Sequence, residues 1–393
     1  MKISAIKATP INIPITPGYE WCVGNNFGFH RTIIEVVTDE GLVGLGEAPS
    51  SSHAALIDKV LAPALVGTDP FDLTHAEQSS FPEWRSALNF MDGGLAQAFG
   101  GVELALWDIK AKALGVPLYQ LLGGAVRRDI EFTEFFTYRI DLDGDQSQTS
   151  IEAIVDHCIA QKEQHGSTYF EGKVALRSVR EDIALLSALR DGLGPDVQIR
   201  IDANYGWTLA TARSLVRDLE ALRIAGIEDP VFGFENMARL REHTYIPFST
   251  HEIDLPRAVA AGAPDAFVAN VARLGGIRET IRFANACDVM GRDFWAYSGD
   301  TGVMTAAYLH LGAALPNMRG PHQTLGRWQP FDVVAEDIIV PRNNVIRVPE
   351  GAGLGVTLVP DALEHLHRLF LDEGPSVSIS RGNNGLYNRL PRF

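Results

Sequence analysis

Lysine is scarce in this chain and absent from its second half. Only Lys2, Lys7, Lys59, Lys110, Lys112, Lys162 and Lys173 occur, within a combined Lys and Arg count of 34. Arginine stays protonated, whereas a lysine can shift its pKa and act as a base, so the last lysine draws attention. Cysteine is scarcer still. Cys22, Cys158 and Cys287 are odd in number and widely spaced, which excludes a disulfide framework and a zinc cluster. No apolar run reaches the ~18 residues of a membrane-spanning helix. The opening MKISAIKATPINIPI alternates like a strand and lacks the basic-then-apolar layout of a signal peptide, so a cytoplasmic protein is expected. There is no Lys/Arg run, and the net charge is −15. Nucleic acid and anionic membranes are therefore poor partners. A small anionic substrate is not excluded, because a bound divalent cation reverses the local field.

What is present divides the chain in three. Met1–Ile15 and Arg31–Asp39 read as strands, with Glu40-Gly41 as a turn before Leu42–Ala48. Between the strands, Thr16–His30 is rich in Gly, Pro, Asn and aromatics and reads as a long mobile loop, of the kind that forms lids. Gly101–Gly115 has helical spacing and a glycine stop. Residues 1–126 are thus expected to be an α+β capping domain. From about Ile130 strands and helices alternate: Glu131–Tyr138, Tyr169–Leu176, Val197–Ala203, Ile224–Glu228, Ile246–Thr250, Ala266–Val271, Asp293–Tyr297 and a weak strand near Met318. Repeating β–α units of about 25 residues predict a (β/α)₈, or TIM, barrel over 127–335. A doubly wound open sheet is the alternative, but no glycine-rich dinucleotide or P-loop fingerprint supports it. Residues 336–393 are strand-like and turn-rich and are expected to return to the capping domain, with the last stretch as an arm on another surface.

Three acids stand at predicted strand ends. Asp202 closes QIRID, Glu228 closes RIAGIE, and Glu252 follows IPFSTH. Strand ends one β–α unit apart are neighbours on the rim of a parallel barrel, so these carboxylates converge on the C-terminal face, where barrel active sites lie. Held together they repel, and a divalent cation resolves that repulsion. All-oxygen ligation suits Mg²⁺. The competing reading is that such acids cap helices or meet arginines. His251 is the alternative third ligand. Neighbours on a strand point to opposite faces, so only one of His251 and Glu252 faces the centre, and Glu252 is preferred. Lys173 lies one unit before Asp202. Next to a cation its ammonium is disfavoured and its pKa falls, as a general base requires. An ordinary rim lysine paired with one of the acids is the alternative.

These residues resemble the enolase superfamily, and within it the mandelate racemase/glucarate dehydratase-like enzymes. The resemblance runs over nearly the whole chain: Asp39-Glu40-Gly41, GLGEAP at Gly44–Pro49, VELALWDIKAKALG into PLYQLLGG, then RIDANYGW, IEDP and RLGGI. It implies a modified barrel under a capping domain, Mg²⁺ on Asp202, Glu228 and Glu252, a substrate carboxylate on the metal, and a base that takes the α-proton. It also implies a symmetric homo-oligomer and a small-molecule carboxylate substrate.

The sequence departs from the family pattern. Many relatives carry Lys-x-Lys on the second barrel strand, and here those positions read Glu171-Gly172-Lys173. The Asp–His dyad of the sixth and seventh strands falls at Asn270 and Tyr297, and Asn270 is not the lysine of muconate-lactonising relatives either. Racemisation by two opposed bases loses its second base. The pattern fits dehydration of a hydroxy acid, an acid sugar, to a 2-keto-3-deoxy acid. In that reading Lys173 takes the proton, and Lys173 or Tyr297 protonates the departing hydroxyl. Asn270 bonds substrate hydroxyls or Tyr297. A racemase, epimerase or cycloisomerase is the second reading. A barrel binding a metal or carboxylate without turnover is the third.

Weaker candidates surround these. Tyr19, Trp21, Asn26 and His30 lie on the segment that resembles the family's substrate-covering flap, where simple packing is the competing role. Arg139, at the end of the first barrel strand, either pairs bidentately with a second carboxylate or is a surface arginine. His322, after the eighth strand, is a candidate acid or substrate ligand against a structural role. Asn204 is placed to bond substrate or to order the metal's surroundings.

Overall fold

The computed structural model describes residues 1–22, 24–81, 93–141, 146–298 and 300–376. Ile3–Trp21 and Gly24–Thr38 form a long antiparallel pair, and Val43–Ala48 adds to its other edge. The segment expected to be a loop is therefore mostly sheet, with Tyr19 opposite Asn26 and Trp21 opposite Gly24. Its aromatics explain the difference. Aromatic side chains favour a pleated, half-buried surface, and Tyr19 joins Ile15, Phe135, Leu325 and Trp328 in a separate apolar cluster against which Trp21 and Phe29 pack. Arg139–Ile140 pairs with Gly18 and Tyr19, fastening the hairpin to the barrel's first strand.

The barrel is eight parallel strands in one sheet: Glu134–Phe136, Tyr169–Lys173, Gln198–Asp202, Gly226–Glu228, Phe248–Thr250, Ala266–Ala269, Asp293–Ser298 and Gln323–Thr324. An isolated bridge between Phe132 and His322 joins the first and last to close the ring. The eighth strand comes later than expected. Met318 lies buried in the turn after the helix Gly302–Ala314, and a two-residue strand leaves no periodic trace in sequence. At the end of the described chain, the helix Pro360–Glu373 packs on the first strand: Asn12 Nδ2 donates to the Gly374 carbonyl at 2.8 Å, and the Ser376 N–H to Asn12 Oδ1 at 2.9 Å. Among the described residues no helix is long and apolar enough to cross a membrane.

The motifs that carry the resemblance are the joints between capping domain and barrel. The helix Gly93–Ala113 lies so close to the strand Val43–Ala48 that a Cβ at Gly44 or Gly46 would strike the carbonyls of Ala105 and Gly101, which explains both glycines of GLGEAP. The same helix offers two buried carboxylates. Asp108 accepts from Leu45 N at 2.8 Å and Leu354 N at 2.7 Å. Glu103 accepts from Ile277 N at 2.7 Å and Arg278 N at 3.3 Å, capping the barrel helix Ile277–Val289, and from Trp107 Nε1 at 2.8 Å. A free helix N-terminus presents unpaired N–H groups, so the capping domain here satisfies donors of the barrel. Gly276, in RLGGI, has φ of 111° and no room for a Cβ beside Glu103. Gly276→Ala is expected to cost about 1–3 kcal/mol through backbone strain and displacement of this cap. Urea unfolding measures it, and an unchanged midpoint would contradict the account.

Candidate active site at the barrel mouth

The strand register brings Lys173, Asp202 and Glu228 side by side, while Glu252 lies two residues past the end of the strand Phe248–Thr250 and outside the register. Lys173 pairs in register with Asp202, and Asp202 with Glu228. Lys173 Nζ lies 2.5 Å from Asp202 Oδ2. Asn204 holds the same carboxylate, its N–H on Oδ1 at 2.7 Å and its Nδ2 on Oδ2 at 2.9 Å. Where these strands end, the backbone is strained: Ala175, Asn204, Tyr205 and Asp229 have positive φ of 60°, 44°, 58° and 44°. Non-glycine residues held in this region gather at functional sites.

Glu228 is buried, with a hydrogen bond on only one of its two oxygens. Gln323 Nε2 donates to Oε2 at 2.5 Å, and His251 Nε2 lies 2.8 Å from Oε1. Asp229, also buried, accepts from Thr250 Oγ1 at 2.7 Å and His251 N at 3.1 Å. Ligand atoms of Glu228, Asp229 and His251 all lie within 4.8 Å of one another. Glu252 meets Arg257 through Oε1 at 3.3 Å, while its Oε2 is buried with no hydrogen-bond partner. A cation would satisfy that oxygen. The ring of His251 bonds the Val268 carbonyl through Nδ1 at 3.0 Å and turns Nε2 toward Glu228. The donor set is rich in hard oxygen and fits a divalent cation such as Mg²⁺.

Charge at the rim is finely set. Burial works against the Lys173 ammonium, but the negative charge of Asp202, with Tyr19 and Glu228, outweighs it and holds the group above its ordinary value. Burial likewise opposes the His251 imidazolium, and Glu228 overcomes it, raising its pKa to about 10.

Beside the acids opens a cleft of about 380 Å³, lined by His251, Val268, Tyr297, Arg273 and Leu274 from the barrel and Gln97 from the capping helix. Tyr297 stands edge-on to His251, ring centroids 4.7 Å apart, and its hydroxyl oxygen accepts from Arg273 Nη1 at 3.2 Å. Across the mouth, the hairpin closes on Lys173. Tyr19 is buried, with its hydroxyl accepting from Asn26 Nδ2 at 3.1 Å, and the buried indole N–H of Trp21 has no partner. Cys22 donates to the Asn204 carbonyl at 3.2 Å.

Four expected site residues do other work. Asn270 is the N-cap of the short helix Val271–Leu274, its Oδ1 accepting from Ala272 N and Arg273 N, while Nδ2 donates to Asp300 at 2.7 Å and Tyr308 at 2.6 Å. It has nothing left for substrate or Tyr297. Arg139 is not a surface arginine: it is buried, stacked 4.4 Å from the Trp328 ring centroid and bonded to the Pro17 carbonyl at 3.0 Å, with its Nε unpartnered. His30 is turned to Ser51, accepting its N–H on Nδ1 at 3.0 Å. His322 precedes the eighth strand rather than following it, and is fully enclosed, its Nδ1 accepting from Ala296 N at 3.0 Å.

His322 and His310 are kept neutral by burial, with pKa values pushed down to about 3 and about 4. Both folded values lie below the unfolded value near 6.5, so each contribution is complete above that pH and is lost as pH falls. Together they should cost about 2.5 kcal/mol of stability between pH 7 and 5.5. Because raised groups such as His251 gain stability over the same interval, the test is a difference: urea unfolding at both pH values should show a His310→Asn/His322→Asn variant losing less on acidification than the unaltered chain by about that amount.

Two residues of the site, Arg273 and Gln323, lie outside the set expected from sequence. Arg273 sits inside the quoted RLGGI and was visible there as a basic group one turn from the sixth strand. Gln323 belongs to a strand of two residues and gave no signal.

Residues 153–362 match the family model described as enolase C-terminal domain-like, and residues 27–123 match that of the mandelate racemase/muconate lactonizing enzyme N-terminal domain. A probable glucarate dehydratase of Streptomyces coelicolor is 27% identical, covering 95% of this chain and 93% of its own. A chloromuconate cycloisomerase of Cupriavidus pinatubonensis is 28% identical, covering 94% and 100%. Among solved structures, an enolase of Thermobispora bispora complexed with magnesium and formate superimposes with a TM-score of 0.86 at 26% identity, covering 95% of this chain and 94% of that one.

Proposed function

Because the chain belongs to the mandelate racemase/muconate lactonizing enzyme family of the enolase superfamily, we propose that it dehydrates a hydroxy acid of the acid-sugar class by removing the proton next to its carboxylate. The observation that carries this reading is the single lysine: Lys173 stands at the rim against Asp202, and the residue where relatives keep a second base, Asn270, is fully engaged as a helix cap. Asp202, Glu228 and Glu252 are the residues that would hold Mg²⁺. A cation there would neutralise charge developing on the substrate carboxylate and cancel the field that keeps Lys173 protonated.

The chain's own groups then divide the work. Lys173 Nζ accepts the α-proton as the Cα–H bond breaks. Tyr297 sits in the cleft with Arg273 on its oxygen, so its O–H hydrogen is free to turn toward the departing β-hydroxyl. As the Cβ–O bond breaks, that hydroxyl takes the proton and leaves as water, and the enol tautomerises to a 2-keto-3-deoxy acid. Lys173 is the alternative donor, returning the proton it took. Tyr19 and Trp21 close the mouth over Lys173 and exclude water, and Asn204 fixes Asp202.

The test is incubation with Mg²⁺ and a library of sugar acids in heavy water, read by mass spectrometry. Loss of one water with a keto-acid product supports dehydration. Deuterium uptake with the mass otherwise conserved replaces it with epimerisation or cycloisomerisation, the reading that the similarity to the chloromuconate cycloisomerase favours. Tight Mg²⁺ binding without reaction of any acid would count against dehydration of this class and leave either a substrate outside the library or a barrel that binds without turnover.

A further inference from the structure

We infer that Gln323 and Glu171 are positioning residues that orient Glu228 for the cation, an inference that rests on reading Glu228 as a metal ligand. Glu171 occupies the place where many relatives have the first lysine of Lys-x-Lys, and its carboxylate is wholly buried inside the barrel. One oxygen, Oε2, accepts from Arg200 Nε at 3.0 Å and Nη2 at 2.6 Å, and from Thr133 Oγ1 at 3.4 Å. Arg200 is itself fixed, donating to the Pro321 carbonyl at 3.2 Å and lying 4.5 Å from the Trp295 ring centroid. The other oxygen, Oε1, accepts from Gln323 Nε2 at 2.6 Å, and the same Nε2 donates to Glu228 Oε2 at 2.5 Å.

The orientation of the Gln323 amide follows from its partners. Both are carboxylate oxygens, so only the NH₂ end can meet them, and a flipped amide would set its carbonyl against lone pairs. The two hydrogens of one amide thus hold apart two buried carboxylates that would otherwise repel. Arg200 neutralises Glu171 and anchors it, Glu171 anchors Gln323, and Gln323 fixes one oxygen of Glu228, leaving the other, Oε1, near His251 but without a hydrogen bond. The chain of contacts crosses the barrel from the second and third strands to the eighth and back to the fourth. A lysine at 171 would push an ammonium against Arg200 and leave Gln323 without its anchor. The departure from the family pattern is thereby matched by two neighbours, Arg200 and Gln323. Partners that orient a metal ligand typically alter affinity by about 10–100-fold when removed.

The experiment measures Mg²⁺ affinity of the whole chain by titration calorimetry without substrate, with thermal unfolding alongside. Gln323→Met keeps the volume and removes both hydrogen bonds. Gln323→Asn keeps an amide but withdraws it from both carboxylates, and serves if the methionine variant does not fold. Each is expected to weaken Mg²⁺ binding by about 10–100-fold. A control of comparable instability on an outer helix, Leu215→Ala, should bind as the unaltered chain does. Binding within twofold of the unaltered chain in a folded Gln323 variant would overturn the inference while leaving the metal reading intact. Failure of the unaltered chain to take Mg²⁺ would remove the metal reading, and this inference with it.

Discussion

Lys173→Ala is expected to slow exchange of the substrate α-proton with solvent by about 10²–10⁴-fold, the range that a positioned general base contributes. Mg²⁺ affinity should change far less, because the lysine touches Asp202 rather than replacing it as a ligand. The effect should fall on kcat more than on KM. Arg at the same position is a poor substitute, since a guanidinium does not give up its proton near neutral pH. Deuterium uptake measured by mass spectrometry decides the point. Exchange at the unaltered rate in the alanine variant would hand the base role to another group, and His251 and Tyr297 in the facing cleft would be the next to substitute.

Arg31→Met is expected to destabilise the fold by about 3–5 kcal/mol, the cost of leaving a buried charge without its partner. Arg31 reaches from the capping sheet to Asp300 of the barrel at 2.6 Å and lies 3.8 Å from Glu47. Asp300 is further held by Asn270 and by Tyr308, each at 2.7 Å, while Glu47 accepts from Thr301 Oγ1 at 2.6 Å and Met304 N at 3.1 Å. Burial, then Asp300, push the Glu47 pKa up to about 8 even with Arg31 beside it. Losing the guanidinium exposes both acids to each other. The double variant Arg31→Met/Asp300→Asn should recover a substantial part of the loss, because it removes one uncompensated charge. Urea unfolding of the two variants measures this. A single variant costing under about 1 kcal/mol would show that the pair is not what holds these acids.

What the sequence disclosed, and what it concealed, follows from the geometry of a barrel. Lys173, Asp202 and Glu228 were legible because parallel strands repeat at nearly constant intervals, and the register indeed aligns them side by side. Side-chain direction was not legible where elements are short. Asn270 was read as a site residue by alignment, yet asparagine is a favoured N-cap, and it caps a helix of four residues that periodicity cannot detect. His322 adjoins a two-residue strand, so nothing local says whether its ring enters the mouth or the base of the barrel. The hairpin around Tyr19 and Trp21 looked like a loop by composition. It is sheet because its aromatics bury against Phe135, Leu325 and Trp328, partners more than a hundred residues away in sequence.

The cap that Glu103 places on the helix Ile277–Val289, with Gly276 yielding space for it, bears on how this chain can change. A lid that moves independently can be exchanged between relatives as a part. Here the barrel helix borrows its N-terminal acceptor from the other domain, so a hybrid of this capping domain with a foreign barrel keeps its stability only if both halves of the joint travel together. Substitutions at 103 and 276 should accordingly be tolerated as pairs where either alone is not.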